Sequence, residues 1–178
     1  MSRPLPSPYY YKRIDKPYPV EIPLKLSIAV DTRTKKILSL RLRAKKVHDI
    51  KDAKYLINNL PSKPSKIIAD KGYDAEWLHR FCKKMGIKAV IPIRKGRNAV
   101  HNMWSLRRNQ KIKQRTYGRR EMVESVFGAI KRKFGASVSS LSINTQRAEV
   151  YCRAIAHNII SCFLGLFQRN RSNSKDLY

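Results

Sequence analysis

The stretch KIIADKGYDAEWLHRFCKKMGIKAVIPI, residues 66–93, decides how the chain folds. It opens on a short apolar run ending at Asp70, crosses the turn KGYD, and enters a helical pattern from about Ala75 to Met85. Gly86 stops that helix, because glycine takes the left-handed conformation of a helix C-terminus without steric cost. IKAVIPI, residues 87–93, then reads as a second buried strand. Strand, helix and strand in this order predict parallel neighbours joined by a crossover helix. The turn KGYD suggests a positive φ at Gly72 and a helix N-cap at Asp74. Asp70 falls at the C-terminal end of its strand, where α/β sheets place ligand sites.

Upstream, LKLSIAVD (24–31) and ILSLRLRAK (37–45) flank the polar link TRTKK and predict a hairpin. Alternation puts Leu38, Leu40 and Leu42 on its core face, with Arg41 and Arg43 on the other. DIKDAKYLINNL then changes to helical spacing, with Ile50, Ala53, Tyr55, Leu56 and Ile57 on one face and Asp49 placed to cap it. Residues 1–23 carry Pro4, Pro6, Pro8, Pro17, Pro19 and Pro23, which leave few backbone donors, and read as an extended arm. The fold class is therefore α/β: a mixed sheet flanked by helices, with an antiparallel hairpin at the front.

Downstream, residues 94–116 are rich in Lys and Arg and contain no acid. A charge run is commonly a solvated loop, but Trp104 beside Arg107 and Arg108 offers a base-stacking surface among cations. Two helices follow, about 119–134 and 145–167, before a polar tail at 168–178. On the second, Ala148, Cys152, Ile155, Ile159, Cys162 and Leu166 form a stripe expected to face the core.

The net charge of +27 on 178 residues narrows the partners. Such a chain repels itself unless a polyanion neutralises it, which points to nucleic acid or an acidic membrane surface. The most apolar run, AIAHNIISCFLGLF (154–167), is shorter than the roughly 18–20 residues a span needs. No apolar leader opens the sequence. Nucleic acid in a cytoplasmic setting is the resulting expectation, with no membrane partner. Cys82, Cys152 and Cys162 are too scattered for a disulfide framework, and His79 with Cys82 lacks a second ligand pair for zinc.

The helix of about 119–134, which takes in most of YGRREMVESVFGAIK (117–131), carries Val123, Val126, Phe127, Ile130 and Phe134 toward the core. Arg120, Glu124, Gly128 and Lys131 lie in an adjacent arc. An Arg120–Glu124 pair at i, i+4 is by itself an ordinary surface feature. With Asp70 ahead of it, Glu124 belongs to a sparse set of carboxylates in a cationic protein. Hard oxygen ligands of that kind hold Mg²⁺ for phosphodiester chemistry.

The spacing Tyr117-x2-Arg120-x3-Glu124-x6-Lys131 resembles the Tyr-Arg-Glu-Lys signature of insertion-sequence DDE transposases. LKLSIAVDTRTKKILS, VHDIKDA and IIADKGYDAE look like recurring segments of the same family in the same order, so the resemblance covers about residues 8–165. It implies a ribonuclease-H-like domain over 24–167 in which three acids hold two Mg²⁺ or Mn²⁺ ions. It makes Asp70 the second acid and Glu124 the third, both catalytic and metal-binding. Tyr117, Arg120 and Lys131 would then clamp DNA, joined by Trp104, Arg107 and Arg108 of the basic loop.

The family's first aspartate lies on a central strand that precedes the SPYYYKR-like stretch with which this chain begins. Asp31 is the substitute ligand to weigh, although in the family pattern it opens a hairpin and is not catalytic. The resemblance therefore implies a truncated or second-frame portion of a DNA transposase lacking its first strand. Such a portion works with its missing N-terminal part or by self-association. A non-catalytic DNA-binding remnant of a transposase is the alternative, and an unrelated basic RNA-associated domain a third reading.

Overall fold

The computed structural model describes residues 24–44, 47–93, 112–140 and 142–173, with side chains as far as Gly165. Strands β1 (Lys25–Val30) and β2 (Ile37–Arg43) form the expected antiparallel hairpin. Asp31 shapes its turn: the carboxylate accepts hydrogen bonds from the Arg33 backbone N–H (2.9 Å) and the Thr34 hydroxyl (2.7 Å), and Lys35 takes a φ of 59°. The pairing runs Ile28 with Leu40, Ala29 with Ser39, then Val30 with Ile37, so Leu38 has no opposite residue. That β-bulge reverses the alternation beyond it. Ile37 is therefore buried with Leu40 and Leu42, and Leu38, expected in the core, is exposed.

One face of the hairpin packs on α4 (Glu121–Phe134) and α5 (Ile143–Asn173), where Leu24, Leu40 and Leu42 meet Val126, Ile130, Val150 and Ala154. The other face meets α1 (Ile50–Asn58) through a polar contact that periodicity did not predict. Asp52 is fully buried there. Its carboxylate accepts hydrogen bonds from the Ser27 hydroxyl (2.9 Å) and Arg43 Nε (2.6 Å), with Lys25 Nζ and Arg41 Nε each 3.5 Å away. Asp49 does not cap α1; it has helical backbone angles and pairs with Lys25 at 2.8 Å. Tyr55, expected inside, turns outward beneath the Arg41 guanidinium, 4.5 Å from its ring centre.

A second core gathers Ala53 and Ile57 of α1, Leu78 and Cys82 of α2 (Glu76–Lys84), and Ile87 and Ile91. Strands β3 (Lys66–Ile68) and β4 (Lys88–Val90) lie parallel, joined through α2 as the opening stretch predicts. Gly86 ends α2 with a φ of 66°. At KGYD the expectation is corrected: Gly72 has no positive φ, and Asp70, not Asp74, makes the capping bond, its Oδ1 accepting from the Lys71 N–H (2.6 Å) at a 3₁₀ turn over Lys71–Tyr73. The N-cap position of α2 falls to Ala75, and the Asp74 carboxylate lies buried 3.4 Å from His79.

Among the described residues the strands make two separate two-stranded sheets, giving a mixed α/β fold. The expected apolar stripe of α5 is overturned: Ala148, Cys152, Ile155, Ile159 and Cys162 face outward, and Leu166 lies beyond the described side chains. The buried face carries Gln146, Val150, Ala154 and His157 instead. Its polar members find backbone partners: Gln146 donates to the Ser140 carbonyl (2.9 Å), ahead of the helix, and His157 Nε2 to the Lys35 carbonyl (3.1 Å) of the hairpin turn. Asn158 bonds both backbone groups of Ile37, at 2.8 and 2.9 Å. No helix among the described residues is long and apolar enough to cross a membrane.

Replacing Asp52 by Asn preserves shape but removes the counter-charge shared by Lys25, Arg41 and Arg43. It is predicted to lower the unfolding free energy by about 2 kcal/mol, less than a deeply buried pair because the cations keep some solvent contact. Urea unfolding at neutral pH measures this. Burial pushes the Asp52 carboxyl up, but the Arg43 and Ser27 hydrogen bonds outweigh it and hold it below the usual 3.8. The stabilisation is full above that value and lost as pH falls through the folded-state value, so wild type and Asp52→Asn converge in acid. A difference that persisted undiminished there would contradict the assignment.

Candidate functional site

Asp70 and Glu124 come from unconnected elements. Asp70 follows β3, and Glu124 stands in the first turn of α4. The chain reaches α4 through a single helical turn, α3 (Gln114–Tyr117), and a 3₁₀ turn over Gly118–Arg120. Asp70 uses Oδ1 for its cap, leaving Oδ2 to face Arg120. Arg120 Nη1 lies 3.1 Å from Glu124 Oε1 and 3.9 Å from Asp70 Oδ2. One guanidinium therefore spans both carboxylates, and their oxygens lie no farther apart than the sum of those distances.

The i, i+4 pair was legible in the sequence, whereas the reach to Asp70 was not. Both carboxylates are more than half exposed, so as ion pairs they add little stability. Their importance is geometric. The Tyr117 ring lies beside the same guanidinium, 5.8 Å from its carbon. Lys131 is exposed, about two turns farther along α4.

Asp70, Arg120 and Glu124 border a groove of about 470 Å³ between the two sheets. Ile28, Ala29 and Val30 of β1 line it together with Lys66, Ile67 and Ile68 of β3. Leu56 and Ile57 of α1 and Val123 of α4 add to its apolar walls, and Arg119, Arg120, Asp70 and Glu124 are part of its charged lining. Among the described residues β1 pairs only with β2, and β3 only with β4. Strands with one unpaired edge thus line a largely apolar space, an arrangement that favours further strand pairing. Tyr73 also lines it; burial first, then the charges of Asp49, Asp52 and Asp70, push its phenol up to about 12, so it stays a neutral hydrogen-bonding group.

Asp31 borders the groove, but both its oxygens are engaged by the hairpin turn, chiefly by the Thr34 hydroxyl, which holds its carboxyl below the usual range. Trp104, Arg107 and Arg108 lie outside the described residues. Cys82 is buried, and burial pushes its thiol up to about 11. Asp70 and Glu124 are accessible hard oxygen donors converging on one positive charge, a donor set that suits Mg²⁺ or Mn²⁺. Among the described residues no group of three or more His, Cys, Asp and Glu forms a fuller set.

The division of labour between turn and site is testable with Mn²⁺ titrations and urea unfolding. Asp31→Ala is predicted to cost about 1 kcal/mol of stability through the lost turn bonds and to leave Mn²⁺ affinity unchanged. Asp70→Asn and Glu124→Gln should weaken Mn²⁺ binding while changing stability by less than about 0.5 kcal/mol. Loss of Mn²⁺ binding in Asp31→Ala would overturn the assignment of Asp31 to the turn.

No solved structure matches the chain. Comparison with known protein families matches residues 21–159 to the one described as Transposase DDE domain. That span includes the hairpin, the parallel pair, Asp70, Arg120 and Glu124. The chain belongs to the transposase DDE domain family.

Proposed function

We propose that the chain is the catalytic portion of an insertion-sequence DNA transposase, with Asp70 and Glu124 as ligands for Mg²⁺ or Mn²⁺. Its reactions are hydrolysis of a phosphodiester at the element's end and transfer of the resulting 3′-hydroxyl strand to target DNA. The observation carrying this reading is the convergence of Asp70 and Glu124, from separate elements, on one cation beside the groove. Two bound divalent ions supply the activated nucleophile and neutralise the charge that develops at the phosphate.

The chain's own residues bind and orient the DNA. Arg120, in the turn just before α4, and Lys131, on α4, grip phosphates, and Tyr117 sets the position of Arg120. Trp104, Arg107 and Arg108 extend the contact surface. The charge of +27 favours DNA through release of its condensed counterions, which supports a nucleoid-associated reading.

The proposed fold is ribonuclease-H-like, with the groove between β1 and β3 receiving a further strand that brings the third carboxylate. The single-sided pairing of both strands and the apolar lining between them support this. That strand lies outside the described residues or comes from a second copy.

The test is a strand-cleavage assay with Mg²⁺ or Mn²⁺ on DNA carrying the repeats that flank the gene. The chain is assayed alone and together with the upstream-encoded polypeptide. Cleavage is expected, reduced at least about a thousandfold by Glu124→Gln. Tight, steeply salt-dependent binding without cleavage in every form would instead make the protein a non-catalytic DNA binder of transposase origin.

A further inference from the structure

We propose that Arg120 is a cation placeholder: without metal it neutralises Asp70 and Glu124, and a divalent ion displaces it onto a DNA phosphate. Metal loading and DNA grip are then coupled through one side chain. The proposal rests on the reading of Asp70 and Glu124 as cation ligands.

Arg120 and a metal ion compete for the same atoms. Nη1 lies within 3.1 Å of Glu124 Oε1 and 3.9 Å of Asp70 Oδ2, and the remaining Asp70 oxygen is committed to the Lys71 N–H. Two carboxylates left facing each other would repel, and the guanidinium relieves that repulsion. Its hold is nonetheless weak. All three side chains are substantially solvated, and ion pairs of that kind are easily exchanged. A divalent ion coordinated directly by carboxylate oxygen has twice the charge at shorter range, so it wins the exchange.

The displaced guanidinium does not leave the site, because the helix that begins at the next residue is fixed by Val126 and Ile130 in the core and the Tyr117 ring lies alongside. The ligand it then seeks is planar and anionic, and a phosphate meets that need with two parallel hydrogen bonds. By linkage, metal must strengthen DNA binding to the extent that it frees Arg120.

Mn²⁺ affinity without DNA is measured for wild type, Arg120→Ala, Arg132→Ala and Glu124→Gln. Arg132 is exposed on the same helix, so its variant controls for the general loss of one positive charge. Arg120→Ala is expected to bind Mn²⁺ roughly five- to tenfold more tightly than wild type, against less than about twofold for Arg132→Ala. In the second arm, Ca²⁺ is used to avoid turnover and should strengthen DNA binding by wild type more than by Arg120→Ala. A side chain that merely holds the helix in place would not raise metal affinity when removed.

Arg120→Ala binding Mn²⁺ no tighter than wild type, with Glu124→Gln still weakening it, would overturn the placeholder and leave the carboxylates as ligands. Mn²⁺ binding indifferent to Glu124 in every form would overturn both.

Discussion

The spacing of the two sheets on either side of the groove depends on α1, and a buried carboxylate of α1 ties it to both strands of the hairpin. Asp52 accepts hydrogen bonds from Ser27 of β1 and Arg43 of β2, binding both strands to the helix. The neighbouring residues Ala53 and Ile57 enter the other core, among Leu78, Cys82 and Ile91. One helix thereby spaces the antiparallel pair from the parallel pair. An ion cluster of this kind contributes less to net stability than its number of contacts suggests, because burying the carboxylate has its own cost. It does fix geometry, since a helix rotated or slid by one residue would leave Asp52 buried without its partners.

That spacing shapes the candidate site. β1 and β3 border the groove without meeting each other, and α4 carries Glu124 to the end of β3 where Asp70 stands. In a chain so strongly cationic, two accessible carboxylates drawn to one guanidinium form a local exception to the field around them. Such exceptions suit chemistry on a polyanion, where the surface attracts the substrate and a small acidic site acts on it. Membership of the transposase DDE domain family gives this arrangement its context, and the proposed roles of Asp70, Glu124 and Arg120 follow from where the side chains lie.

Much of the fold was legible because it is written in local pattern. The hairpin, the parallel pair with its crossover helix and the core face of α4 all follow from apolar spacing and from Gly86. What sequence alone missed was decided by tertiary partners. Leu38 lost its core position to a bulge, which shifts parity without any local signal in ILSLRLR. Asp52 stands outside the apolar face that spacing gives this helix, yet Ser27, Arg43 and Lys25 surround it. On α5 the apolar stripe faces outward, because Gln146 finds a backbone partner at Ser140, and His157 and Asn158 find theirs on the hairpin, which alanine or isoleucine could not satisfy. The site was divided in the same way: Arg120 with Glu124 is a spacing, but Asp70 joins them only through the fold.

The central claim is that Asp70 and Glu124 share one cation site. A double-mutant cycle of Mn²⁺ affinity over Asp70→Asn, Glu124→Gln and the combined variant tests it most directly. Shared coordination predicts a coupling energy of at least about 1 kcal/mol, because either substitution alone already removes most of the binding that the other could lose. Effects that simply add would mean that the two carboxylates act apart, contradicting the account.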